Sequence, residues 1–215
     1  YRVVAFNAAG DSTSAPVGAG AAATLPEVPT SAVATLQAGP KVTFSWRDNS
    51  KTEAYYRIER SVNGGAFVLI ASPPGTTTTG AMSYVDTAVT SGASYQYRVA
   101  AVNAAGSSAY ATSNTVAVPA PPLAPSNLTG TAVRSGSKAS VTLAWTDNSL
   151  NETGFTIERA TNVSFTVGLT TTTVPANTTT VTQSGLYRGV PYFFRIRADN
   201  LGGSSAWSNV FNVIT

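Results

Sequence analysis

The sequence predicts an all-β chain: tandem seven-stranded β-sandwiches joined by short Pro-rich linkers. Three observations carry that prediction. Trp46-Arg47-Asp48-Asn49-Ser50, followed by Glu53, Tyr56, Ile58, Glu59 and Arg60, returns 99 residues later as Trp145-Thr146-Asp147-Asn148-Ser149, followed by Glu152, Phe155, Ile157, Glu158 and Arg159. Within and around these blocks the apolar residues fall on every second position, the period of a half-buried strand. Turn formers interrupt the runs roughly every 8–12 residues, as in a sandwich. A length of 215 residues accommodates about two domains of roughly 100 residues.

In chain order, the first segment is intelligible only by comparison. Tyr1-Arg2-Val3-Val4-Ala5-Phe6-Asn7-Ala8-Ala9-Gly10 recurs as Tyr97-Arg98-Val99-Ala100-Ala101-Val102-Asn103-Ala104-Ala105-Gly106, and more loosely as Phe194 to Gly203. It occurs three times and the Trp block twice. Residues 1–24 therefore read as the last two strands of an incomplete domain, followed by complete domains at 25–119 and 120–215. The chain opens at Tyr1 in mid-pattern and without Met, which suggests a portion of a longer protein. A hairpin alone is marginal in water, so the face of Tyr1, Val3 and Ala5 calls for partner strands, from upstream or from another chain by strand addition.

Each complete domain opens on prolines: Leu25-Pro26-Glu27-Val28-Pro29, then Pro119-Ala120-Pro121-Pro122-Leu123-Ala124-Pro125. Proline lacks the amide donor of a central strand, so these segments read as stiff, extended spacers. Strands are expected at 31–37, 41–47, 54–62, 66–71, 81–85, 94–102 and 110–118, and again at 126–133, 139–146, 153–160, 165–172, 178–183, 191–199 and 206–214. Val42, Phe44 and Trp46 alternate with Thr43, Ser45 and Arg47; Tyr192, Phe194 and Ile196 alternate with Phe193, Arg195 and Arg197. Asp48-Asn49-Ser50 and Asp147-Asn148-Ser149 read as Asx turns, and Asn63-Gly64-Gly65 as a tight hairpin.

The Trp on the second strand, the Tyr opening the sixth (Tyr95, Tyr192), the Tyr-x-Tyr-Arg-Val-x-Ala-x-Asn run and the Pro-rich start together resemble the fibronectin type III domain. The Asp-Asn-Ser-x-x-Glu-x-x-aromatic-x-Ile-Glu-Arg block is similar to the version found in bacterial and archaeal secreted and surface proteins. The resemblance implies an immunoglobulin-like sandwich with Trp46, Trp145, Tyr95, Tyr192, Ile58 and Ile157 in its cores. It further implies that Tyr95 and Tyr192 form tyrosine corners. Cell-binding members carry Arg-Gly-Asp between the last two strands; Ala104 to Ser107 and Leu201 to Ser204 stand there instead.

Composition narrows the chemistry. With no Cys and no His, thiol nucleophiles, disulfides and the commonest metal ligands and general bases are absent. Charged residues are 11%, against roughly 25% in typical soluble domains. The net charge of +3 is scattered singly, unlike a nucleic-acid footprint, and no run is long and apolar enough for membrane insertion. Asp48, Glu53 and Glu59 recur as Asp147, Glu152 and Glu158, which favours a structural over a catalytic role. Glu59 is expected to face outward and form an exposed pair with Arg98, as Glu158 does with Arg195. Neither a cofactor nor a metal is expected. Tyr55, Tyr110, Tyr187, Phe193 and Trp207 are the candidate interaction surface, for protein or carbohydrate.

The expected function is a non-catalytic extracellular or cell-surface module: a stalk, adhesin segment or assembly component. The alternatives are an accessory tail of a secreted enzyme and a filament subunit joined by strand addition.

Overall fold

The computed structural model describes residues 4–13 and 24–215, all of them strand, turn or loop. The expected apolar positions Tyr1 and Val3 lie outside the described residues. β1 (Val4–Asn7) and β2 (Gly10–Thr13) form an antiparallel hairpin, with Val4 opposite Thr13. Val4 and Phe6 are 49% and 81% exposed.

Two sandwiches follow. In the first, β3 (Thr30–Gln37), β4 (Lys41–Asp48) and β7 (Gly80–Asp86) make a three-stranded sheet in the order β3-β4-β7. Facing it are β5 (Tyr55–Val62), β6 (Val68–Ala71) and β8 (Ser94–Asn103), extended by the fragments β9 (Gly106–Ser107), β10 (Ala111–Thr112) and β11 (Val116–Ala117). The second repeats the plan. β12 (Ser126–Ser135), β13 (Lys138–Thr146) and β16 (Thr180–Tyr187) form one sheet. β14 (Gly154–Ala160), β15 (Thr170–Pro175), β17 (Pro191–Asn200), β18 (Gly203–Ser204) and β19 (Phe211–Ile214) form the other. All strand pairs are antiparallel, which lets one face of each sheet be wet.

The alternation in β4 buries Val42, Phe44 and Trp46 completely or nearly so, and Tyr56, Ile58, Tyr97 and Val99 meet them from the opposite sheet. Phe44 lies 5.4 Å from Trp46 and from Tyr97, and Trp46 lies 5.4 Å edge-on from Tyr56. Offset and edge-to-face contacts of this kind add to the burial of the rings. The second core is built likewise around Trp145, Phe155, Ile157 and Phe194. The Tyr95 hydroxyl accepts from Thr90 N at 2.8 Å, and that of Tyr192 accepts from Tyr187 N at 3.1 Å.

The turns follow local chemistry. Ser50 N donates to Asp48 Oδ1, and Ser149 N to Asp147 Oδ1, both at 3.0 Å, closing Asx turns. Asn63 and Gly64 have φ of 51° and 74°, the two left-handed residues of a primed hairpin turn.

The final strands depart from expectation. Continuous strands at 110–118 and 206–214 are instead short fragments, because serine side chains take over the ladder. Ser113 N donates to Tyr97 O while Ser113 Oγ accepts from Tyr97 N. Ser108 clasps Ala101 in the same way, and Ser205 and Ser208 clasp Ala198 and Ile196. The strand expected at 165–172 lies later, at Thr170–Pro175. Asn162 Oδ1 accepts from Thr166 N and Val167 N, which holds the preceding residues in a loop. The proline segments are docked rather than free spacers: Pro26, Pro29, Pro122 and Pro125 are buried.

Candidate interaction surfaces

The duplicated acids sit in the fold as turn and sheet fasteners. Asp48 and Glu53 are buried at 1% and 7% exposure. Thr76 N donates to Glu53 Oε1 at 2.9 Å, and Thr76 Oγ1 to Asp48 Oδ2 at 2.9 Å. Burial, reinforced by these two carboxylates, pushes the Tyr56 phenol far above its ordinary pKa. In the second copy Phe155 replaces that tyrosine, and Asn177 N donates to Glu152 Oε1. Among the described residues, Glu53 Oε2, Glu152 Oε2 and both indole nitrogens, Trp46 Nε1 and Trp145 Nε1, are buried without a hydrogen-bond partner. No group of three or more Asp and Glu side chains among the described residues is placed to hold a metal.

Glu59 corrects the expectation of an exposed pair. It points away from the core, as its alternation requires, yet is only 2% exposed. Arg98 Nε and Nη2 grip Glu59 Oε2 at 2.7 and 2.5 Å, while Arg57 Nε and the Tyr110 hydroxyl donate to Oε1 at 2.6 and 2.8 Å. The Arg98 guanidinium is in turn sandwiched between Phe67 and Tyr110, 4.3 and 4.0 Å from their ring centroids. Burial alone raises the Glu59 pKa; hydrogen bonds from Arg98, Tyr110 and Arg57 outweigh it and leave it below the usual carboxylate value.

The second copy builds the same stack. Arg195 Nε donates to Glu158 Oε2 at 2.7 Å, and its guanidinium lies between Phe165 and Trp207, at 4.2 and 4.3 Å. Arg197 also approaches Trp207, at 4.9 Å. The five candidate aromatics therefore do not form one patch. Tyr110 and Trp207 are partly buried within these arginine stacks, and Phe193 is partly buried on β17. Tyr55 is 40% exposed. Tyr187 is 63% exposed, with Lys138 Nζ 3.5 Å from its ring centroid.

Two features lay outside the sequence reading. One is the buried network of Asp86 in the first copy: Arg60 Nη1 at 2.7 Å, the Tyr97 hydroxyl at 3.0 Å and Ala88 N at 2.9 Å all donate to its carboxylate. Its signals in the repeats are Asp86 and Tyr97 standing where the second copy has Gln183 and Phe194. The other is a depression of about 500 Å³ in the second copy, lined by Thr153, Gly154, Thr156, Thr173, Pro175 and Asp199. Tyr55 takes the place of Gly154 in the first copy. The Asp199 carboxylate accepts there from Thr156 Oγ1 and Ser204 Oγ, so its floor is already hydrogen-bonded.

Residues 123–214 match the family model of the fibronectin type III domain. Chitinase A1 of Niallia circulans is 34% identical over 203 residues, which are 89% of this chain and 26% of that protein. Amylopullulanase of Thermoanaerobacterium saccharolyticum is 38% identical over 100 residues, 46% of this chain and 7% of that protein. The chain thus corresponds to a minor part of each relative. The crystal structure of the chicken CNTN1 FN1-FN3 domains superposes with a TM-score of 0.60 over 89% of this chain and 68% of that one; at 17% identity the likeness is one of fold.

Proposed function

The chain belongs to the fibronectin type III family, a non-catalytic β-sandwich fold, and from this we propose that it is an accessory segment of a larger extracellular enzyme acting on a polysaccharide. One observation carries the reading: 89% of the chain aligns with Chitinase A1 while covering 26% of it. The role of such a segment is to hold other parts of the polypeptide at a set spacing. Residues 25–119 and 120–215 are the two complete modules, preceded by the hairpin of β1 and β2.

Low charge and a hydroxyl-rich composition suit an extracellular setting. So does a polymeric substrate of the kind for which both relatives are named. The test is hydrolysis by the parent polypeptide with and without residues 25–215, on an insoluble polysaccharide and on a soluble oligosaccharide of the same sugar. Loss confined to the insoluble polymer is expected. Equal rates on both substrates would refute the accessory role, as would sugar release by the 215-residue chain alone.

A further inference from the structure

The junction between the two sandwiches is built differently from the linker entry of the first. Asn103 Nδ2 donates to Thr24 O at 2.9 Å, and its Oδ1 accepts from Ala105 N. Asn200 repeats both bonds, donating to Ala120 O at 2.9 Å and accepting from Gly202 N at 2.8 Å. Two positions of the turn differ, Ala104 against Leu201 and Ala105 against Gly202, and it is the second that meets the linker. Ala105 is exposed, whereas Gly202 is buried beneath the linker. A Cβ on Gly202 would lie 1.8 Å from Pro119 O and 2.8 Å from Pro119 C, well inside van der Waals contact. The linker backbone can reach this turn only because the side chain is a hydrogen.

Further bonds close on the same point. Asn151 Nδ2 donates to Ala120 O at 3.0 Å, and Asn200 Nδ2 also reaches Asn151 O at 3.1 Å. From the first sandwich, Ser91 Oγ donates to Gly202 O, a direct bond between the copies. Ser91 precedes Gly92, whose amide donates to Val118 O at 2.9 Å. The loop of the first copy, the linker at 119–121 and the turn at 200–203 therefore meet in one cluster.

We propose that Gly202 is a junction lock: it seats the Pro119-Ala120 backbone and the Ser91 loop so that the two sandwiches move as one rigid body at a fixed angle. The stiffness of the linker then comes from docking as well as from its prolines. This gives the proposed spacer a mechanical property, and its failure would leave the kinship with a larger enzyme untouched.

The absence of Cys allows a clean measurement. Nitroxide labels at Ser83→Cys and Ser184→Cys, exposed positions on the two copies, report the distance between them by pulsed electron resonance. The parent is expected to give one narrow distribution. Gly202→Ala should at least double its width, and Ser91→Ala should widen it less. Ala105→Gly should leave it unchanged. The φ of Gly202 lies outside the left-handed region, and alanine occupies the matching turn of the first copy, so Gly202→Ala retains the fold and the thermal transition checks it. A broad parent distribution would overturn the lock, and so would an unaltered width in both Gly202→Ala and Ser91→Ala.

Discussion

At the residue scale, Glu59 is a buried carboxylate held by four donors: two from Arg98 and one each from Arg57 and Tyr110. Alternation gives its direction, and the pairing with Arg98 is legible from the register of adjacent strands. Its burial is not legible, because the cover comes from Phe67 and Tyr110, which lie elsewhere in the chain and converge on Arg98 only in the fold. The acid response follows from the sign of its shift. The folded pKa of Glu59 lies below its unfolded value of about 4.3. Its contribution to stability is therefore complete above that value and lost as pH falls through the folded pKa. Between pH 5 and pH 3 the melting temperature of the parent should fall more steeply than that of Glu59→Gln, as followed by circular dichroism. Arg98→Met leaves Glu59 buried with two donors fewer and should cost about 1–3 kcal/mol in denaturant unfolding.

At the element scale, the strands carrying period-two runs lie where the sequence puts them, because alternation and burial are the same fact seen twice. The last strand of each sandwich escapes that logic. Its hydrogen bonds run partly through serine hydroxyls, and hydropathy is blind to a side chain that imitates the backbone. The visible sign is a Ser-Asn pair in both copies, Ser113-Asn114 and Ser208-Asn209. The asparagines pinch the first strand: Asn209 accepts from Leu128 N and donates to Leu128 O, both at 2.9 Å, as Asn114 does with Ala34. Asn209→Ala orphans both backbone groups and should destabilise the second sandwich by about 1–3 kcal/mol, measurable by denaturant titration. The hairpin of β1 and β2 is the opposite case. Its exposed Val4 and Phe6 bury little, so removing residues 1–23 should leave the melting temperature of the two sandwiches unchanged within about 1 °C.

At the scale of the whole molecule, the chain holds two separate cores, each centred on its own tryptophan. Trp46→Ala empties one core and should cost its sandwich about 3–5 kcal/mol. Calorimetry should then show one transition moved sharply down and the other, that of the Trp145 core, nearly unmoved. A single transition shifting as a unit would mean that the junction couples unfolding as well as orientation. No helix among the described residues is long and apolar enough to cross a membrane. The duplicated acids are consumed in turns and in the arginine stacks.

The all-β class, the two-fold repetition and the Asx turns are legible along the chain. Each is written in local order: a period of two, a spacing of 99 residues, a side chain reaching two residues ahead. Which aromatics are exposed, how deeply Glu59 is buried and how near the Gly202 turn comes to the linker are set by the fold. Those outcomes depend on atoms brought together from distant positions. The distance from a hydrogen on Gly202 to the carbonyl of Pro119 has no signature along the chain.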